Sequence, residues 1–298
     1  MKNENFFAIF VLIFLTFIWG SSFILIKFGL EVYSATEVAS MRIFFSFLCL
    51  FPLMVMQWKK VPKKAWGPIM IVGFIGSCIP AFMFAFGQTK LSSSTTGVLN
   101  SLVPIFTFIF GVLFFKNQFN GRKLAGVLIG LLGAVLLIIL RTDGSFDPNY
   151  AYGFFIVLAT ICYGTSVNVV KNYLQDVPAL TISSMSFSVI GILCGIYLLG
   201  FTDFTSKIVS GPTELKAAGY IFLLAAFGTA LALIMFNKLV QLKSALFATT
   251  TTYLIPIVAL GWGILDGEDV GLLHLVGMGT ILIGVYLANV KRKVRTTA

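Results

Sequence analysis

Trp19-Gly20-Ser21-Ser22, closed by Lys27, reads again 144 positions later as Tyr163-Gly164-Thr165-Ser166, closed by Lys171. Leu102-Val103-Pro104-Ile105 reads again 152 positions later as Leu254-Ile255-Pro256-Ile257. Gly126 and Gly133 return as Gly277 and Gly284. The spacing predicts one unit written twice, over residues 6–141 and 150–290. Each unit carries five apolar runs. A unit with an odd number of membrane spans ends on the side opposite its start, so the second copy is expected to enter the membrane inverted.

The runs themselves set the class. Hydrophobic residues fill 58% of 298 positions and charged residues 11%, with a mean hydropathy of +0.98, whereas a soluble domain carries about 25% charged residues. Runs of about twenty residues match a hydrocarbon core of roughly 30 Å. The expected fold is an all-α integral membrane protein with ten transmembrane helices, near 6–27, 36–57, 67–88, 94–115, 122–141, 150–171, 179–200, 217–239, 245–265 and 271–290. Alternating segments of about ten residues, as in a membrane β-barrel, are missing. The first run lacks an Ala-x-Ala cleavage site and reads as a span that stays. Cys49, Cys78, Cys162 and Cys194 all fall in apolar runs, without metal-ligand spacing.

Basic residues orient the spans. Of twenty-one Lys and Arg, fifteen collect on one side, among them Lys59, Lys60, Lys63, Lys64, Lys116, Lys171, Lys243 and Lys293. Five lie on the other (Lys27, Lys90, Arg141, Lys207 and Lys216), and Arg42 lies inside a span. The positive-inside rule places both termini in the cytoplasm of a bacterial inner membrane. The net charge of +10 is then a topology signal. A nucleic-acid partner would need a basic face on a folded domain, and no run of the sequence supplies one.

Polar residues at membrane depth mark the candidate site. Pro104 and Pro256 fall near the centres of spans four and nine, where a proline removes one helical hydrogen bond and frees the carbonyl four residues earlier, here of Asn100 and Thr252. Asn100 and Ser101 flank the first proline, Thr252 and Tyr253 the second. Either these hydroxyls bond their own helix, or the paired bends line a cavity and gate it. Trp19, Ser21 and Ser22 face the repeat's Tyr163, Thr165, Ser166 and Asn168 as a second mirrored cluster. Arg42 stands about six residues into span two, close enough to the surface to snorkel and deep enough to meet a carboxylate or phosphate in the bundle. Its repeat equivalent is Ser186.

Several chemistries lack their residues. No Asp or Glu lies near a span centre, which disfavours a buried carboxylate proton relay. The lone histidine, His274, reads as interfacial. No metal cluster, P-loop or nucleophile elbow is present, so neither a cofactor nor an enzymatic reaction is expected. Gly126-x3-Gly130-x3-Ala134, with Gly277 and Gly284, offers close-approach helix faces, for packing in a monomer or contact in a homodimer.

Ten spans with Trp-Gly-Ser-Ser in the first, Met41-Arg42-Ile43-Phe44 in the second, Pro104 in the fourth and Gly267-Glu268 before Gly277 and Gly284 resemble the EamA family of the drug/metabolite transporter superfamily. The resemblance covers about residues 8–290. It implies a bundle with spans five and ten at the periphery, a central cavity, and export of a small metabolite such as an amino acid. The chain departs from the pattern at one place, where the position equivalent to Glu268 is Asn117. Its first span also lacks the glutamate on which small multidrug relatives depend. A flippase-like carrier of an amphipathic or lipid-linked substrate stays open beside the exporter. An intramembrane enzyme or assembly factor fits less well.

Overall fold

A computed structural model describes residues 2–116, 121–139, 149–243, 245–268 and 271–289. These residues form helices joined by short turns, with no strand among them. The first half comprises α1 (Lys2–Leu30), α2 (Ala35–Gln57), α3 (Trp66–Gly73), α4 (Ile79–Gln88), α5 (Ser93–Asn100), α6 (Val103–Phe114) and α7 (Gly121–Ile139). The second comprises α8 (Tyr150–Tyr173), α9 (Ala179–Gly200), the short α10 (Phe204–Lys207), α11 (Pro212–Leu223), α12 (Ala232–Leu242), α13 (Ala245–Thr249), α14 (Ile255–Leu265) and α15 (Leu272–Asn289). Among the described residues eight helical stretches are long and apolar enough to cross a membrane, and Leu124–Leu136 and Leu275–Gly284 are shorter apolar segments. The side chain of His274, and Asn117, Arg141 and Lys293, lie outside the described residues.

The helices start where sequence chemistry allows. Ser34 caps α2 in a capping box with Glu37, satisfying two backbone donors at once. Ser92 caps α5 through the Thr95 amide. Pro212 opens α11, where the missing N–H costs nothing.

The expected proline bends have a different form. Span four is two helices, α5 and α6, joined through Ser101 and Leu102, with Pro104 in the first turn of α6. Span nine is likewise α13, a tight 3-10 turn over Thr250–Tyr253, and α14 with Pro256 in its first turn. Proline is preorganised for a helix start, so each one founds the second segment of its span and does not kink a continuous helix. The joints match: Ile105 N donates to Leu102 O at 2.9 Å, and Ile257 N to Leu254 O at 3.1 Å.

Spans three and eight contain a second irregularity. Phe74–Cys78 joins α3 to α4 in π-helical geometry, and Leu224–Leu231 joins α11 to α12 in the same way. A π turn inserts an extra residue into the helix and is common at functional sites. Both segments carry a glycine followed by a hydroxyl residue: Gly76-Ser77, and 152 positions later Gly228-Thr229.

Packing follows the small residues. A Cβ at Gly284 would stand 2.3 Å from the Gly130 amide, and one at Gly133 would stand 2.8 Å from the Ile281 amide. α7 and α15 thus meet backbone to backbone, as membrane helices do where small residues face each other. Gly20 leaves room for Val258 of α14, and Gly164 leaves room for Phe106 and Thr107 of α6. Large apolar side chains such as Ile13, Leu132, Ile196, Ile257 and Leu265 point outward and are exposed. So much apolar surface suits lipid, not water.

Candidate functional site

The two broken spans and the two π turns converge on one cavity, about 970 Å3 of empty space with its mouth included. α1 brings Trp19, Ser22, Phe23 and Ile26, and α2 brings Arg42. Val72, Gly76, Ser77 and Phe84 come from the third span, Asn100 and Val103 from the fourth. α8 contributes Tyr163, Ser166, Val167 and Val170. The π turn and α12 give Gly228, Thr229, Leu233, Phe236 and Asn237, and the broken ninth span gives Thr249 and Thr252. No described residue of α7 or α15 reaches it.

The lining has paired parts. The Trp19 ring packs edge-on against Phe236 at 5.1 Å, and the Tyr163 ring stacks on Phe84 at 5.9 Å. Trp19 is the repeat equivalent of Tyr163, and Phe236 of Phe84. Ser22 pairs in the same way with Ser166, and Asn100 with Thr252. Trp19 is further fixed by its indole N–H, which donates to Gly228 O at 2.9 Å. The cavity therefore has two aromatic walls and hydroxyl or amide groups between them, a form suited to a small amphipathic molecule.

Arg42 points into this space and does not snorkel. Its Nε donates to the Thr229 hydroxyl at 3.0 Å, and Thr229 donates onward to Leu224 O at 3.3 Å. Tyr163 lines the same cavity from α8. On the same helix, Ser46 bonds Ala225 O at 3.2 Å, tying α2 to the π turn.

Of the residues expected at the site, Trp19, Ser22, Arg42, Asn100, Tyr163 and Thr252 meet at the cavity. Ser21, Ser101, Thr165, Asn168 and Tyr253 do not line it. Ser21 is turned away, donating to Phe17 O and accepting the Trp262 indole N–H at 2.8 Å. Ser101 is fully buried and donates to Val98 O at 2.6 Å, closing the joint of the fourth span. Thr165 bonds Ile161 O on its own helix at 3.0 Å. The Asn168 amide bridges Thr107 O and Gly164 O, both at 2.9 Å, and so fastens α8 to α6. Tyr253 sits half-buried in the 3-10 turn. Each is spent on backbone, on packing or on a neighbouring helix, because a hydroxyl in a helix finds the carbonyl three or four residues back before anything else.

Ser77, Thr229, Phe84, Phe236 and Asn237 were not expected. The signal was in the sequence: the 152-residue offset that matches the prolines also matches Gly76-Ser77 with Gly228-Thr229 and Met83-Phe84 with Met235-Phe236.

A charged cluster closes the end of the bundle where α1 finishes. Lys27 pairs with Asp266, and with Glu268 at 3.2 Å. Glu268 also accepts the Ser93 amide at 2.8 Å, the Ser94 amide at 3.0 Å and the Ser94 hydroxyl at 2.6 Å, at the start of α5. A carboxylate there meets orphan amides and the positive end of the helix dipole together. Burial alone would raise the Glu268 carboxyl, but the Ser94 and Ser93 hydrogen bonds and the Lys27 charge outweigh it and hold the group below its ordinary range. At the same end, Lys207 of α10 grips the buried Glu37 at 3.0 Å.

Known proteins resemble the chain over this whole architecture. An uncharacterized transporter of Archaeoglobus fulgidus is 26% identical over 92% of this chain and 95% of its own length. The uncharacterized inner membrane transporter YedA of Escherichia coli K12 is 24% identical, covering 91% of this chain and 87% of its own. An S-adenosylmethionine/S-adenosylhomocysteine transporter of Chlamydia trachomatis serovar L2 is 26% identical, covering 91% and 86%. A solved crystal structure superposes with a TM-score of 0.64 over 95% of this chain and 96% of its own, at 14% identity, a likeness of fold alone. Residues 6–139 and 151–290 each match the EamA-like transporter family, and the chain belongs to that family of multi-pass membrane transporters.

Proposed function

We propose that this protein is a secondary transporter that exports a small metabolite, an amino acid or a related compound, across the bacterial inner membrane by alternating access. The observation that carries the reading is the cavity at the meeting of two broken spans and two π turns, lined from both halves by equivalent residues. Secondary transporters place substrate near the midplane, between repeats and beside interrupted helices. Read this way, the halves are inverted five-span copies with both termini in the cytoplasm, and the joints at Pro104 and Pro256 are where spans four and nine rearrange in turn. The family, whose relatives include a transporter named for two adenosyl metabolites, supports a small substrate with a flat ring and polar ends.

The test is flux. Purified protein in liposomes, loaded with a panel of radiolabelled amino acids and S-adenosylhomocysteine, should release at least one of them well above protein-free liposomes. Release at the protein-free rate for every compound would overturn the reading. Orientation is tested separately: cysteines at Lys63 and Lys243 should resist an impermeant thiol reagent in intact cells, while a cysteine at Asp203 should react. Labelling of Lys63 from outside would remove the inverted topology.

A further inference from the structure

The cavity is electrically one-sided. Arg42 is the sole charged residue among those that line it, and the remaining polar lining is neutral hydroxyl, phenol, amide and indole. Among the described residues no carboxylate pairs with Arg42. Glu37 is taken by Lys207, and Glu268 by Lys27 and the start of α5. A guanidinium held at membrane depth with only neutral partners is costly, and such charges face a substrate path or a counter-ion. Thr229 uses one edge, the Nε–H. That anchors the group from one side, and a guanidinium fork matches a carboxylate or phosphate bidentately.

A second group in the same cavity lacks a partner. Ser77, the repeat equivalent of Thr229, is 7% exposed, and its hydroxyl makes no hydrogen bond. A buried hydroxyl without a partner is costly, and this one lies in the other π turn. In one half Arg42 fills the equivalent role by donating to Thr229. In the other, the residue equivalent to Arg42 is Ser186, which bonds Ser183 O on its own helix and leaves Ser77 unanswered.

We propose that the transported metabolite is an organic anion, seated by a carboxylate or phosphate on Arg42, with a further polar atom toward Ser77 and its flat body between the Trp19–Phe236 and Tyr163–Phe84 pairs. The proposal rests on the reading of this cavity as the transport path, and it goes further by setting the sign of the charge. A net cation would be repelled by Arg42 and would find no carboxylate in the described lining.

Probes of one shape and three charges test it by direct binding to the purified full-length protein in detergent. These are 3-phenylpropionate, its neutral amide and 3-phenylpropylamine, with phenyl phosphate to separate carboxylate from phosphate. The anions should raise the unfolding temperature, and the amide and amine should not. Arg42→Gln should weaken anion binding roughly ten- to a hundredfold, the range for a charge-assisted bond, and Arg42→Lys should keep part of it. Ser77→Ala should weaken it less than Arg42→Gln. If Arg42→Gln does not fold, Thr229→Val serves in its place: it should weaken anion binding, and Thr229→Ser should restore it. Binding of the amine or amide as strong as that of the anions, no stabilisation by either anion, or anion binding unchanged in the Arg42 and Thr229 variants would each overturn the proposal. Flux in liposomes keeps the two readings apart. Anion binding without flux would sink transport and leave the site, whereas flux of cations alone would sink the site and leave transport.

Discussion

Lys27 and Lys171 are the same residue in the two repeats, and they meet different partners. Lys27 reaches two carboxylates, Asp266 and Glu268, and through Glu268 the amides that open α5. Among the described residues Lys171 donates to a neutral acceptor, the backbone carbonyl of Lys243, at 3.2 Å. One end of the bundle is thus tied by an ion-pair cluster that joins three helical spans, whereas the bonds described at the other end go to neutral acceptors, with Gln241 donating to Leu174 O and Val177 O and Thr181 to Gln57. Charge-assisted bonds are about twice as strong as neutral ones. On the proposed inverted topology, this difference would bias the transporter toward a state closed at the Lys27 end.

Removing the carboxylate should break this comparison most. Glu268→Ala deprives Lys27, Ser93 and Ser94 of their acceptor and should destabilise the protein by about 2–3 kcal/mol, less than for breaking a fully buried pair because Lys27 is partly solvated. A cysteine at Ser22 should then become reachable by a thiol reagent from the Lys27 end. Unchanged unfolding temperature and labelling would mean that the cluster does not hold the bundle shut.

Acid should reproduce part of that effect. The Glu268 carboxyl is held below its ordinary value, so its contribution is present above the unfolded value, roughly 4.3, and is lost as pH falls through the lower folded value. Labelling at Ser22 should rise only in that strongly acidic window, and Glu268→Gln should abolish the dependence. Loosening that begins near neutral pH, or persists in the glutamine variant, would assign the effect to another group.

Lys171→Ala should cost no more than about 1 kcal/mol, the net value of one ordinary hydrogen bond. A loss as large as that of Glu268→Ala would erase the asymmetry.

The joints themselves should be the least sensitive. With Pro104 and Pro256 each in the first turn of a helix, alanine at either position should change stability by less than about 1 kcal/mol. Spin labels flanking Ser101 or Thr252 should report that the span stays broken. A span that straightens on substitution would restore the mid-helix bend expected from the sequence.

The all-helical, membrane-spanning character was legible because membrane helices are set by local composition: a run of about twenty apolar residues spans whatever surrounds it. The repeat marked Trp19 with Tyr163 and Pro104 with Pro256 as equivalent, and these came out as wall partners and joints. Six of the eleven expected cavity residues line the cavity. The other five share their residue types, and no pattern along the chain distinguishes a serine that bonds its own helix from one that faces a void.

The helices, the family and the scarcity of charge at depth could be read from the chain alone. Packing set the rest: Arg42 turns inward to Thr229, Ser77 is left without a partner, Glu268 reaches back to α5 and Lys27, and the prolines begin helices. The Arg42 and Glu268 contacts depend on atoms from spans far apart in the chain meeting within about 3 Å, and a hydrogen bond of that reach is fixed by how helices pack and not by the residues beside it.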